Sequence, residues 1–178
     1  MDVGDVVVIG TSITRDIGSA LKEEGVSATT YTYGGGNIPF IRDRLTHIKK
    51  SHSSPKTILL QAGGNDCEKQ PIDRVKQDYD GLVNDVKYLW PSARVIIGKV
   101  PPRRASVQTQ IKIAQLNERL QSMNDPGLDI SCSDFSPKIT RYYNYDKIHF
   151  NHTGVKYYSE KVAQYLSNFH VNQTRLNP

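Results

Sequence analysis

The chain has 178 residues, a formal net charge of +5 at neutral pH, 37% hydrophobic residues and 23% charged residues. This length and composition are typical of one globular domain with one core. No run approaches the roughly 20 apolar residues that a membrane span needs, and the first residues lack the basic and apolar regions of a secretory signal. We therefore expect a cytoplasmic protein without a membrane anchor.

Short apolar runs alternate with segments of helical period along the chain. In chain order, the runs predict strands at residues 5–9, 28–33, 57–60, 94–98 and, more weakly, 128–132. Apolar residues at helical spacing predict helices between them, at residues 13–21, 38–48, 72–89, 107–120 and 155–169. This alternation is typical of βαβ units, whose right-handed crossovers place helices on both faces of a parallel sheet.

The sequence thus predicts one α/β domain with a five-stranded parallel sheet over residues 1–170. Residues 171–178 are polar and lack an apolar period, so we expect a disordered tail there. In a flavodoxin-like strand order, 2-1-3-4-5, the order reverses between the first and third strands, and ligands bind in the crevice at that point.

Two polar blocks follow the ends of the first and third predicted strands. Gly10-Thr11-Ser12 follows the first strand, and Gly63-Gly64-Asn65-Asp66 follows the third. Both blocks therefore reach the same crevice from distant parts of the chain. A third block, Tyr33-Gly34-Gly35-Gly36-Asn37, follows the second strand.

A fourth block, Asp146-Lys147-Ile148-His149, supplies a base and a carboxylate. A serine hydroxyl is a poor nucleophile unless a base takes its proton, and imidazole titrates near neutral pH. Asp146 precedes His149 by three residues, so its carboxylate can reach Nδ1 and fix the tautomer of the ring. The pattern predicts Ser12 as the nucleophile, His149 as the base and Asp146 as the orienting carboxylate of an acyl-transfer site.

Acyl transfer also needs hydrogen-bond donors for the oxyanion of its intermediate. The candidates are the Asn65 side-chain NH₂, the Ser12 N–H and the N–H of a glycine in the run 34–36, where no Cβ keeps a substrate away. Taken alone, the serine is more often a helix cap, the glycine run a turn, and Asn65-Asp66 a turn or cap. Their order, strand-end placement and residue types together favour a site.

These blocks resemble the SGNH (GDSL-type) hydrolases, a family named for its Ser, Gly, Asn and His. The resemblance covers residues 10–149. In it, Ser12 matches the family nucleophile, and Asn65 and Gly36 (or Gly35) match the oxyanion donors. Asp146 and His149 match the carboxylate–base pair. It implies a three-layer α/β/α sandwich that hydrolyses esters, thioesters or acetylated sugars without a metal. Thr11 stands where the family usually has Asp. Because this residue is not the nucleophile, we expect activity to survive with the turn held differently.

A second resemblance is to the esterase domain in the first open-reading-frame protein of LINE-type (non-LTR) retrotransposons. It is carried by residues 8–17 (VIGTSITRDI), 60–66 (LQAGGND) and 100–103 (VPPR). It implies a cytoplasmic ribonucleoprotein from which this chain is an excised domain. RNA binding and self-association would then reside mainly in other segments.

We accordingly expect a serine esterase that acts on small acyl esters, acetyl esters above all, without a cofactor or metal. One alternative is an RNA- or lipid-binding module on the same fold with a vestigial triad, in which Lys99, Arg103 and Arg104 contact phosphates. A further alternative is a sugar O-acetylesterase. The aromatic stretch 141–145 would contact a lipid surface in the first alternative, but a partly buried loop is the favoured interpretation.

Absent motifs narrow the class further. The chain has no GxSxG elbow, no GxxxxGK[ST] or GxGxxG loop, and no HExxH pair. These absences argue against ordinary α/β-hydrolases, against binding of nucleotide triphosphates or dinucleotides, and against a catalytic metal. The two cysteines, Cys67 and Cys132, have neither CxxC nor zinc spacing, and we expect both to be reduced thiols.

Overall fold

Four parallel strands form the sheet in the part of the chain that the structure describes. The structure is a computed structural model, and it describes residues 5–123 and 140–176. The strands are β1 (Val6–Thr11), β2 (Ala28–Tyr33), β3 (Thr57–Gln61) and β4 (Arg94–Ile97), in the order β2-β1-β3-β4. This order confirms the first four positions of the predicted sheet. The predicted fifth strand, residues 128–132, lies outside the described residues, as does Cys132.

Helices cover both faces of the sheet. They are α1 (Ile17–Glu23), α2 (Ile38–Ser51), α3 (Gly64–Lys69), α4 (Ile72–Leu89), α5 (Val107–Met123) and α6 (His152–Leu176). Short 3₁₀ turns lie at Ser12–Thr14 and Thr140–Tyr142. One core joins the sheet to α2, α4 and α5, and a second joins it to α1 and α6. The three-layer α/β/α arrangement is therefore confirmed.

The apolar runs form central strands because they bury side chains on both faces. Every residue of β1 and of β3 is buried. Val7 and Ile9 pack into the core under α2 and α4, while Val6 and Val8 pack into the core under α1 and α6. Each such side chain contributes about 1.5–3 kcal/mol on full burial. Both strands therefore hold a fixed register, and their carboxyl ends lie side by side.

The first predicted helix is interrupted, which is a correction to the sequence analysis. Ser12–Thr14 forms a 3₁₀ turn, and Asp16 has a left-handed φ of 67°, so α1 begins only at Ile17. The Thr14 hydroxyl donates to the Thr11 carbonyl oxygen at 2.8 Å and stabilises this tight turn. Ser12 is consequently held at the end of β1 rather than within a regular helix.

Two further boundaries differ from the sequence analysis. The short helix α3, which the sequence did not predict, contains Asn65 in its first turn. At the other end of the chain, α6 continues to Leu176, beyond the boundary at residue 170 where the sequence predicts a tail. Backbone hydrogen bonds can propagate a formed helix through polar residues that lack an apolar stripe. Among the described residues, none of the helices is both long and apolar enough to cross a membrane.

Candidate active site

The candidate site lies at the carboxyl ends of two adjacent strands. Ser12 follows β1 directly, and Asn65 lies in the first turn of α3, just beyond β3. The two strands pair in parallel with Gly10 opposite Gln61. A Cβ at position 10 would lie 2.3 Å from the Gln61 carbonyl oxygen and 2.4 Å from Thr14, so only glycine permits this close approach.

Ser12, His149 and Asp146 form a continuous chain of hydrogen bonds. Ser12 Oγ lies 2.8 Å from His149 Nε2, although 137 residues separate them in the sequence. On the other side of the ring, His149 Nδ1 lies 2.7 Å from Asp146 Oδ2. An ionised carboxylate can only accept hydrogen bonds, so Nδ1 carries the proton and Nε2 accepts from the serine hydroxyl. This arrangement allows the ring to take a proton from Ser12.

Asp146 is held as an ionised carboxylate. Partial burial raises its pKa, but the hydrogen bond from the His149 ring lowers it, and so do two backbone N–H groups. These groups belong to Ile148 and His149 and donate to Oδ1 at 2.8 and 3.0 Å. The net result is a pKa of about 2. The side chains of His149 and Asp146 remain 41% and 45% exposed, so water can reach the base.

The turn that carries these residues is strained but fixed on several sides. Lys147 has a left-handed φ of 58°, which costs on the order of 1 kcal/mol for a non-glycine residue. Its N–H donates to the Asn144 carbonyl, and the Asn144 N–H donates to the His149 carbonyl at 2.8 Å. Tyr143 and Phe150 pair as an antiparallel bridge at the base of the loop. These contacts hold the carboxylate and the ring on one side of the turn.

Asn65 connects the site to the glycine turn after β2. Its Nδ2 donates to the Gly36 carbonyl oxygen at 2.9 Å. The Gly36 N–H donates to the Tyr33 carbonyl at 3.0 Å, so the turn itself uses the N–H that the sequence assigns to an oxyanion. Gly35 has a left-handed φ of 69°. The structure thus places the Gly36 carbonyl against the Asn65 amide. The role of the Gly36 N–H as an oxyanion donor stays a prediction.

Asp66 ties this region to α2 from beneath the site. Its buried carboxylate accepts a hydrogen bond from the Ile38 N–H at 2.9 Å. Burial raises the pKa of Asp66, although the bond from Ile38 opposes the rise. Burial also raises the pKa of the neighbouring Cys67 thiol, to about 11, and this cysteine is free. Both residues contribute to the support of the site and lie away from solvent.

The three predicted phosphate-contacting residues occupy different environments. Arg104 is exposed, Lys99 is half-buried, and the Arg103 side chain is only 12% exposed. Arg103 turns inward, with Nη1 donating to Asn65 Oδ1 at 3.2 Å and Nη2 donating to Glu68 at 3.1 Å. This geometry argues against a phosphate contact for Arg103, because its guanidinium is largely used inside the protein. No pattern in the sequence indicates the contact of Arg103 with Asn65.

A small cleft of about 30 Å³ opens beside these groups. Its lining includes Ser12, Asn65, Val100, Arg103 and His149. A cavity needs roughly 10–15 Å³ to hold one water molecule, so this cleft has room for only a few heavy atoms. No group of three or more His, Cys, Asp or Glu residues in the described part of the chain could hold a metal ion.

Comparison with known proteins supports the fold. No family model and no curated protein sequence matches this chain. Among solved structures, a lipase/acylhydrolase from Enterococcus faecalis is similar with a TM-score of 0.74 at 14% identity, over 92% of this chain and 95% of its own. A protein from Desulfitobacterium hafniense described as lipolytic and of the G-D-S-L family has a TM-score of 0.67 at 13% identity, over 90% and 98%.

An acetyl xylan esterase, AlAXEase, is also similar, with a TM-score of 0.65 at 15% identity over 89% of this chain and 97% of its own. At these low identities the similarities show a shared fold. They confirm the predicted α/β class.

Proposed function

We propose that this protein is a serine esterase that hydrolyses small acyl esters, acetyl esters above all. One observation carries the proposal: Ser12, His149 and Asp146 are joined by hydrogen bonds of 2.8 and 2.7 Å, and Ser12, His149 and Asn65 line one cleft. A hydroxyl, a base with its orienting carboxylate, and an amide donor are the groups that acyl transfer requires. The shared fold with acylhydrolases and esterases supports the same reaction class.

In the first half of the proposed reaction, Ser12 Oγ attacks the ester carbonyl carbon while its proton passes to His149 Nε2. The oxyanion that forms accepts a hydrogen bond from the Asn65 amide. As the tetrahedral intermediate collapses, His149 returns the proton to the departing alkoxide oxygen. The acyl group stays on Ser12, and the alcohol leaves.

In the second half, a water molecule attacks the acyl-enzyme after giving a proton to His149. The ring then protonates Ser12 Oγ as the carboxylic acid product departs. Asp146 stays ionised throughout, since its pKa is about 2, and it stabilises the imidazolium that forms in each half. Ser12, His149, the leaving alcohol and the attacking water account for every proton transfer.

The size of the cleft favours a short acyl group. A volume of about 30 Å³ suits an acetyl group better than a long chain. A larger hollow of about 260 Å³ lies beside α5 and shares Val100 and Arg103 with the cleft.

Comparison of acetyl, butyryl and octanoyl esters of one alcohol tests the preference for a short acyl group. Acetylated sugars, as an alternative substrate class, are tested in parallel as acetylated oligosaccharides.

The direct test is the hydrolysis of p-nitrophenyl acetate by the wild type, by Ser12→Ala and by Ser19→Ala. Ser19 is an exposed serine on α1 and serves as the matched control. We expect Ser12→Ala to abolish turnover and to leave the thermal unfolding midpoint nearly unchanged, while Ser19→Ala retains full activity. Full activity in Ser12→Ala would refute the proposal.

The retrotransposon resemblance, the cytoplasmic location and the RNA, lipid and self-association partners stay predictions from the sequence. The exposed Arg104 is the better of the two adjacent arginines for a phosphate contact. If Arg104 contacts phosphates, the affinity of the protein for RNA should fall as the salt concentration rises and should be weaker in Arg104→Ala.

A further inference from the structure

Arg103 contacts the amide that would receive the oxyanion, and the proposed mechanism gives this arginine no role. We propose that Arg103 is a positioning residue, which fixes the orientation of the Asn65 amide and strengthens its N–H as a donor. This inference rests on the proposed function, because it concerns how the proposed oxyanion site is assembled.

The contacts of Asn65 determine which way its amide faces. Arg103 Nη1 can only donate, so the atom of Asn65 at 3.2 Å from it is the carbonyl oxygen. The Gly36 carbonyl can only accept, so the atom at 2.9 Å from it is the amide nitrogen. A flipped amide would place two donors together and two acceptors together. One N–H of Nδ2 is left without a partner among the described residues, in a side chain that lines the cleft.

The charge of Arg103 also acts on the strength of this donor. A cation at Oδ1 draws electron density toward the oxygen, which polarises the amide and makes its N–H groups better donors. A negative charge develops on the substrate only as the tetrahedral intermediate forms. The benefit from Arg103 therefore appears mainly in the transition state and should affect kcat more than KM.

The guanidinium contacts α3 at more than one point. Nη2 donates to Glu68 at 3.1 Å, on the same short helix as Asn65. A Cβ at Gly64 would lie 2.8 Å from Nη1, so the glycine lets the guanidinium pack this close to α3. Arg103 Nε is buried and has no hydrogen-bond partner among the described residues.

The loop that presents Arg103 is itself anchored. The Asn117 amide donates to the Val100 carbonyl at 2.9 Å and accepts from the Val100 N–H at 2.7 Å. On the far side of Arg103, the Arg104 N–H donates to the Lys147 carbonyl at 2.8 Å. Because Lys147 lies between Asp146 and His149, these contacts link the support of Asn65 to the loop that carries the base.

The test is a double-mutant cycle between Arg103→Met and Asn65→Ala, with kcat and KM measured on an acetyl ester. We expect Arg103→Met to lower kcat by about tenfold, the scale of one charge-assisted hydrogen bond, with KM changed by less than about twofold. In the Asn65→Ala background the same substitution should have almost no effect, because the amide through which Arg103 acts is gone. Lys22→Met, at an exposed cation on α1, should match the wild type.

Arg103→Lys is the second variant, because it keeps the charge and one donor, and it should retain more kcat than Arg103→Met. It also keeps the proposal testable if the methionine variant does not fold. Equal losses in the two backgrounds, or no loss in either, would overturn the role of Arg103. If the wild type does not hydrolyse the ester at all, the proposed function fails instead. The two failures are therefore distinguishable.

Discussion

Asn65→Ala is the substitution whose effect can be worked out most fully from the structure. It removes the side-chain amide that lines the cleft and that donates to the Gly36 carbonyl at 2.9 Å. Loss of one oxyanion donor costs about 3–4 kcal/mol in the transition state, which corresponds to a fall in kcat of about 10²–10³. KM should change little, because the ester carbonyl carries only partial charge before attack.

The same substitution should have a modest effect on stability. It removes the bond to Gly36, worth about 1 kcal/mol, and leaves Arg103 without its contact at Oδ1. For a domain of this size, 1 kcal/mol lowers the unfolding midpoint by about 2–4 °C. The loss of activity at 25 °C should therefore greatly exceed any loss of folded protein.

The assay pairs steady-state kinetics on an acetyl ester with thermal unfolding of the same samples. Asn84→Ala, on the exposed face of α4, is the matched control and should leave both measurements unchanged. Asn65→Asp keeps the shape of the side chain but places a carboxylate where the oxyanion forms, and it should be at least as inactive as Asn65→Ala. The reasoning is refuted if Asn65→Ala keeps kcat within about threefold of the wild type, since one donor is worth far more than that.

The remaining predictions concern three ionisable groups. Asp146→Asn should lower kcat by as much as about 10⁴, because an amide that donates to Nδ1 favours the wrong tautomer of His149. The folded-state pKa of Asp146 is lowered to about 2, so ionised Asp146 stabilises the fold above about pH 4, and this stabilisation is lost as the pH falls toward 2. The unfolding midpoints of the wild type and of Asp146→Asn should therefore converge between about pH 4 and pH 2. Burial raises the pKa of Asp66, so its ionisation opposes folding at neutral pH. Asp66→Asn, whose side-chain oxygen still accepts from the Ile38 N–H, should therefore unfold at the same or a higher temperature than the wild type at pH 8, and the difference in unfolding temperature should vanish in acid. A large fall in the unfolding temperature of Asp66→Asn at pH 8 would contradict this. With a pKa raised by burial to about 11, Cys67 in a Cys132→Ser variant should react with a thiol reagent at pH 7.5 only after unfolding, and rapid labelling of folded protein would contradict its burial.

The parts of the site that the sequence predicted are those set by local pattern. The apolar runs of β1 and β3 marked two central strands, and polar residues just beyond them marked the crevice. The spacing of Asp146 and His149 predicted their contact, since three residues allow one side chain to reach the other across a turn. Each of these inferences depends on residues that are neighbours in the chain or in the strand order.

The parts that the sequence could not predict depend on tertiary contacts. The left-handed Asp16 separates the Ser12 turn from α1, and an apolar period cannot reveal such a break. The orientation of Arg103 depends on Glu68 and on the absence of a side chain at Gly64, 39 residues away in the sequence. In the sequence, Arg103 is simply one of two adjacent arginines. The engagement of the Gly36 N–H with Tyr33 likewise follows from the shape of one turn.

The proposed mechanism depends on the Ser12 hydroxyl as the nucleophile that His149 activates. Treatment of the folded protein with an organophosphonate ester, followed by peptide mass mapping, identifies the nucleophile. We expect one phosphonate adduct on the peptide that contains Ser12, no adduct in Ser12→Ala, and much slower labelling in His149→Ala. A protein that hydrolyses the acetyl ester but carries its adduct on another residue, or that labels equally well without His149, would contradict it.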